Sequence, residues 1–219
     1  MPELFNNRIS SLVPEVTEWR HWLHQNPELL FDLPKTQEFI LNTLAKNGIT
    51  NVSTGLGKTG VVAIIEGQKD GPTIGLRSDM DALPILEISD IPHKSNENGK
   101  MHACGHDGHT AMLLGAAQYL QETRNFAGRV ALVFQPAEEG GVGANAMIKD
   151  GLFEKFDILE IYGMHNKAGL PVGEFALCHG TSHAAADTFE ILIEGNGSHA
   201  ARPHHGSDPI AAANAIYNA

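Results

Sequence analysis

Between Met101 and Thr110 the chain reads MHACGHDGHT, in which His102, Cys104, His106, Asp107 and His109 are separated by single small residues or none. Thiolate and imidazole are strong ligands for first-row transition metals, which gather such ligands from short loops. Residues two apart in an extended segment point the same way. Cys104 and His106 are therefore placed to face one ion together, with Gly105 and Gly108 letting the backbone come close. More groups of this kind follow apolar runs elsewhere. Asp79 and Asp81 come just after TIGLR, Glu138 and Glu139 after RVALVF, and His165 directly after ILEIYGM.

Those three runs are short and bounded by turn signals, the pattern of buried strands. The stretch 129–134 leads to 158–164 through a segment with a short helix at 144–149, and 73–77 leads to 129–134 through a helix at 110–120. Strands separated by helices are expected to run parallel with crossover connections. In an open parallel sheet the strand C-termini lie along one edge, where ligands bind. Carboxylates, imidazoles and a thiol from distant positions would then meet there.

The rest of the chain supplies the frame. Val16, Trp19 and Leu23 fall at helical spacing within 12–25, and Asn26-Pro27 ends that helix. A second helix is expected over 35–47 through Phe39, Ile40 and Leu44, with Gly48 at the left-handed C-terminal position. His21 and His24 on the first helix read as core or surface histidines. Strands are expected at 49–53 and 60–66, and Asp70-Gly71 predicts a hairpin turn between 60–66 and 73–77. Gly57-Lys58-Thr59 mimics the tail of a phosphate-binding loop, but Val52 stands where that loop needs glycine, so no nucleotide site is expected. Beyond the site, strands are expected at 172–177 and 186–194, then a glycine- and histidine-rich loop at 195–206. A last helix follows, capped by Ser207 or Asp208, with Pro209 at its first position. A shift in composition near Gly180 marks a domain boundary.

Cys104, His106, Glu139 and His165 could close one tetrahedral site, which leaves Asp79 or Asp81 and Glu138 over. That surplus points to two ions, spaced ~3.5–4 Å apart in known dinuclear hydrolases. Adjacent side chains diverge, so the two glutamates should do different jobs. One that does not ligate could take a proton from water. A structural zinc site, the runner-up, favours cysteine-rich sets with paired spacing, and this chain lacks them.

Bulk properties exclude several classes. With 26 acidic and 15 basic residues the net charge is −11 over 219 residues, which argues against nucleic-acid or anionic-membrane partners. The start, MPELFNNRIS, lacks the regions of a signal peptide, and no apolar run approaches the ~20 residues that span a bilayer. Cys104 and Cys178 are the only cysteines and make no disulfide framework. A reduced, cytoplasmic setting is expected.

The runs GKTGVVA, LRSDMDALP, MHACGHDGHTAMLLGAA, FQPAEEGGVGA, YGMHN and GSHAARPHHGSDPI resemble the metal-dependent amidohydrolases that include hippurate hydrolase. Relatives of these are N-acyl-amino-acid deacylases, N-acetyldiaminopimelate deacetylase and plant auxin-conjugate hydrolases. The resemblance covers nearly the whole chain from about Arg20. It implies an α/β fold: a mainly parallel sheet flanked by helices, like a di-zinc exopeptidase catalytic domain, over 1–180. The start of a small α+β lid or dimerisation domain would follow over 181–219. It also implies hydrolysis of the amide bond of small N-acyl amino acids with two divalent ions, Zn or Mn. The metal ligands would be Cys104, His106, Glu139 and His165, and Glu138 would be the general base. His199 would help bind substrate or polarise the carbonyl, and Asp79 and Asp81 would orient ligands. A homodimer through the lid domain is implied as well.

Chains of that family continue well past the position of Ala219 and supply one more metal-binding histidine, so a partial form with reduced or no activity is expected. Asn166-Lys167-Ala168-Gly169 departs from a Trp-Pro after the Asn, Ser182-His183 from a more apolar pair, and Ser198 from a glycine. The alternative is a non-catalytic metal-binding or interaction protein of the same ancestry.

Overall fold

The computed structural model describes residues 7–181, 184–185 and 187–219. It separates into two compact units, Met1–Ala168 and Gly169–Ala219, a division that falls ahead of the composition shift near Gly180. Ser182 and His183 lie outside the described residues.

In the first unit, α1 (Asn7–Gln25) stops where Asn26-Pro27 predicts, and buries Leu12, Trp19, Leu23 and His24. Helix α2 (Pro34–Lys46) starts with Pro34 in its first turn. Leu33 before it offers no side-chain cap. Glu28 does that work from a distance, accepting the Lys35 and Thr36 backbone N–H groups at 3.2 and 2.8 Å. Gly48, at φ +73°, takes the left-handed conformation that ends the helix.

Five strands follow: β1 (Val52–Leu56), β2 (Gly60–Glu66), β3 (Lys69–Asp79), β4 (Ala127–Gln135) and β5 (Ile158–Gly163). Their spatial order is β1-β2-β4-β3-β5. The β1–β2 and β2–β4 pairs are antiparallel, whereas β4–β3 and β3–β5 are parallel. The sheet is thus mixed, with its parallel part made of the three strands that lead to the chemistry-bearing residues. Helix α3 (His106–Thr123) connects β3 to β4, and α4 (Gly143–Lys149) with α5 (Leu152–Phe156) connects β4 to β5.

Strand alternation builds the two cores. Val61, Ala63 and Ile65 of β2, with Leu132 and Phe134 of β4, pack against Trp19, Leu23, Ile40, Leu44 and Leu114 of α1, α2 and α3. Val62, Ile64, Ala131 and Val133 point the other way, onto Met147 and Leu152 of α4 and α5. Burial on both faces is why these strands read as unbroken apolar runs.

Three expectations fail. Asp70-Gly71 forms no hairpin, because β3 runs through it and β4 is inserted between β2 and β3. Strand β5 is not buried: only Ile158 is, since an edge strand paired with β3 alone leaves Leu159, Ile161 and Tyr162 exposed. In the second unit no strand forms at 172–177 or 187–194, and Ala186 lies outside the described residues. A strand is held by ladder bonds to a neighbour, and none pairs with these segments among the described residues. That unit does form a 3-10 turn at Pro203–His205 and α6 (Pro209–Tyr217). Asp208 caps α6, accepting the Ile210 and Ala211 N–H groups at 2.9 and 3.3 Å.

Candidate metal centre

The parallel register brings the predicted residues to one sheet edge. Asp79 stands opposite Gln135, and Arg77 opposite Gly163. The chain leaves the three strands side by side, with Asp81, Glu138-Glu139 and His165 just beyond. The loop from Met101 arrives at the same place and turns into α3 at Gly105, whose φ is +94°. A Cβ at Gly105 would drive into the Asn166 side chain, so glycine is required on two counts.

His106 is the first residue of α3 and is fully buried. Its Nδ1–H donates to the Asp81 carbonyl oxygen at 2.7 Å, which leaves Nε2 to face the centre. The Asp81 carboxylate, also buried, accepts the backbone N–H groups of Glu138 and Glu139 at 2.9 and 3.2 Å. One aspartate therefore fixes an imidazole through its carbonyl and two glutamates through its carboxylate. Ala137, at φ +52° and fully buried, supplies the reversal that delivers those glutamates from the end of β4.

Glu139 Oε1 lies 3.8 Å and Glu138 Oε2 3.9 Å from His106 Nε2. Glu138 is the more exposed of the two, with 40% of its side chain accessible against 20% for Glu139. Cys104 Sγ sits 3.3 Å from His165 Nε2, and His165 Nδ1–H donates to the Asn166 carbonyl at 2.7 Å. Ligand atoms of Cys104, His106 and Glu139 lie within 4.8 Å of one another. So do those of Asp79, His106, His109 and His165, with His106 common to both groups. The four residues singled out in the sequence as ligands converge.

Asp79 is held by the Arg77 guanidinium at 2.8 Å and by His109 Nδ1–H at 2.6 Å. Burial pushes its carboxyl up, but the His109 hydrogen bond and the charges of His106 and Arg77 outweigh burial, and the net shift is downward. Burial pulls His106 down as well, and the hydrogen bond and charges of Asp81 and Asp79 more than reverse it. The Cys104 thiol is pushed up to about 12, first by burial and then by the negative charges of Glu139, Glu138 and Asp79 around it. His199 lies in the second unit, exposed, with Nδ1 accepting the Ala201 N–H at 3.1 Å.

His109 was not singled out from the sequence, although it stands in the opening motif. Its ring is clamped between Asp79 and Asn166, whose Oδ1 is 2.7 Å from Nε2. The available signal was its three-residue spacing from His106, which puts both on one face only once the helix is known to start at 106.

The residues fit a metal. His106 Nε2 and Glu139 Oε1 are buried and without a hydrogen-bond partner among the described residues. Orphaned buried acceptors are costly unless an ion or water meets them. The donor set of sulfur, imidazole and carboxylate suits a transition-metal ion. Glu139, Glu138 and Asp79 crowd the Cys104 thiol, a concentration of negative charge that suits a cation.

A model of Peptidase family M20/M25/M40 matches residues 75–218. The chain is similar to N-acetyl-L-cysteine deacetylase of Bacillus subtilis, at 46% identity over 209 residues, covering 95% of this chain and 50% of that protein. It is similar to hippurate hydrolase of Campylobacter jejuni, at 44% identity over 216 residues, covering 94% and 55%. Its fold matches the crystal structure of the Bacillus subtilis YXEP protein, a dinuclear metal-binding peptidase of the M20 family. That match has a TM-score of 0.72 and 41% identity, and covers 75% of this chain and 46% of that one. The chain spans about half the length of the curated relatives it matches.

Proposed function

The chain belongs to Peptidase family M20/M25/M40, and from that premise we propose that it is built to hydrolyse the amide bond of small N-acyl amino acids. Cys104, His106, Glu139 and His165 would hold two divalent ions, zinc or manganese. When bound, these supply a polarised acyl carbonyl and a more acidic water. The single observation that supports the reading most is the pair His106 Nε2 and Glu139 Oε1, buried and without a hydrogen-bond partner among the described residues, set beside Cys104 with the Glu138 carboxylate 3.9 Å from His106 Nε2.

Glu138 takes a proton from water at its carboxylate as the oxygen attacks the acyl carbon. It then delivers that proton to the leaving amine nitrogen as the C–N bond breaks. Products are a carboxylic acid and a free amino acid. Asp81 keeps the roles of the glutamates apart by gripping both backbones, and Asp79 steadies the histidine face through His109. His199 would help bind substrate or polarise the scissile carbonyl. Residues 1–180 form the catalytic part and 181–219 open a lid that pairs two copies. A cytoplasmic setting keeps Cys104 reduced. Among the described residues no helix is long and apolar enough to cross a membrane.

The test uses this chain and a version of relatives' length, each loaded with Zn or Mn and offered a panel of N-acyl amino acids. Hydrolysis by the longer version is expected, with weak or no turnover by the 219 residues alone. Glu138→Gln should keep metal and lose rate by ~10²–10⁴-fold. No turnover by either version rejects the assignment.

A further inference from the structure

The carboxylate next in sequence to His106 has no part in the chemistry above. In the first turn of α3 neighbouring side chains diverge by about 100°. While His106 turns to the metal centre, Asp107 turns to α1. It is 1% exposed. Its Oδ2 accepts from Arg20 Nε–H at 3.1 Å and from His24 Nδ1–H at 2.9 Å. The other nitrogen of His24 lies 3.2 Å from Glu87 Oε1, and Glu87 Oε2 accepts the Ser95 N–H at 2.7 Å. One imidazole ties two carboxylates, Asp107 of α3 and Glu87 of the loop before it, to α1, and only an imidazolium can donate to both. Meanwhile Asp107 Oδ1 and both ring nitrogens of His102 are buried with no hydrogen-bond partner among the described residues.

A carboxylate buried with half its acceptor capacity unmet is a poor device for stability alone. What the arrangement does fix is rotation. Gly105 turns the chain into α3 at φ +94°, and Asp107 is the side chain that ties the first turn to Arg20 and His24 of α1.

We propose that Arg20 and His24 clamp Asp107 and, through it, set the orientation of His106 and of the preceding Cys104 toward metal. The three are positioning residues and ligate nothing. This inference rests on the metal-centre reading above.

The probe is Co(II), added to the purified full chain and followed by its thiolate-to-metal charge-transfer absorption, with unfolding recorded for every variant. Asp107→Asn, His24→Asn and Arg20→Met should each weaken Co(II) binding, by ~10–100-fold for the first two, as loss of a group that orients a ligand does. Arg20→Lys should restore most of the loss. Leu23→Ala, a core change on the same helix, should lower stability and leave Co(II) affinity of the folded chain unchanged. His24→Asn and Arg20→Met test the clamp without altering α3, should Asp107→Asn fail to fold. The inference is overturned if Asp107→Asn and His24→Asn bind Co(II) as tightly as the unaltered chain, or if Leu23→Ala weakens binding as much. Cys104→Ser and His106→Ala separate the two levels. If these also leave binding intact, the metal centre itself has been misread and the clamp falls with it.

Discussion

Replacing Asp81 by Asn removes a charge and little volume, so its cost can be read from two hydrogen bonds. The Asp81 carboxylate accepts the Glu138 N–H at 2.9 Å on one oxygen and the Glu139 N–H at 3.2 Å on the other. Asn keeps one acceptor and sets an NH₂ against the second donor. A hydrogen bond to a charged acceptor contributes ~1.5–3 kcal/mol and one to a neutral acceptor about 1. One bond is lost, at about 2 kcal/mol, and the other is downgraded by about 1, which gives a loss of about 3 kcal/mol. The two glutamates are only half-buried, so water can reach the freed N–H and no further desolvation cost is added. With a urea m-value of about 2 kcal/mol/M, the unfolding midpoint of the purified chain should fall by about 1.5 M at unchanged m. Because His106 Nδ1 is held by the Asp81 backbone carbonyl at 2.7 Å, with the carboxylate farther off at 3.6 Å, the imidazole should keep most of its orientation while the glutamates loosen. A midpoint shift below about 0.25 M, the ±0.5 kcal/mol of an ordinary surface change, would refute the argument that Asp81 organises this turn.

Two other outcomes are open to direct measurement. Gly105→Ala must place a side chain at φ +94° and against Asn166, so it should cost at least about 2 kcal/mol in thermal or denaturant unfolding and weaken metal binding with it. Glu87 should shape the acid limb of stability. Burial pushes its carboxyl up, but hydrogen bonds from Ser89, the Ser95 N–H and His24 pull it down to about 2, below its ordinary 4.5. A group with a depressed folded pKa adds stability that is complete above its unfolded pKa and lost as pH falls through the folded one. Stability should therefore decline between about pH 4.5 and pH 2, and Glu87→Gln should flatten that decline in pH-dependent unfolding.

The sequence carried the parts of this fold that depend on local pattern. Proline at 27 and glycine at 48 mark helix limits, and the apolar runs of β2 and β4 mark strands covered on both faces. From there the convergence of Asp81, Glu138, Glu139 and His165 followed, because parallel strands share an end. Strand order was not legible. Asp70-Gly71 has the composition of a hairpin, and only the insertion of β4 between β2 and β3 cancels it. Nor was the exposure of β5, since an apolar run looks the same at the edge of a sheet as at its centre. The roles of His109 and Asp107 were hidden for a different reason. They depend on the rotational phase of α3, which is set by where Gly105 turns the chain. A residue-type reading of MHACGHDGHT does not tell His106, Asp107 and His109 apart, whereas the helix turns His106 and His109 to the metal centre and Asp107 to α1.

The same logic explains why the local rules are broken where they are. Ala137 is a non-glycine residue in left-handed conformation, fully buried, between β4 and the two glutamates. That conformation costs roughly 1–2 kcal/mol for an L-residue and persists only where the surroundings dictate it. Here they do. The Ala137 N–H donates to the Leu30 carbonyl at 3.0 Å, and its own carbonyl accepts the Gly143 N–H at 3.1 Å. Asp81 grips the next two N–H groups. Four hydrogen bonds around one turn outweigh one strained residue. What the strain achieves is direction. A chain continuing straight from Gln135 would carry Glu138 and Glu139 past the sheet edge, whereas the reversal at Ala137 brings both carboxylates back to within 4.0 Å of His106 Nε2. The stability given up at Ala137 and the acceptors of His106 and Glu139, without a hydrogen-bond partner among the described residues, are therefore one feature: a backbone bent to bring those buried atoms to one point.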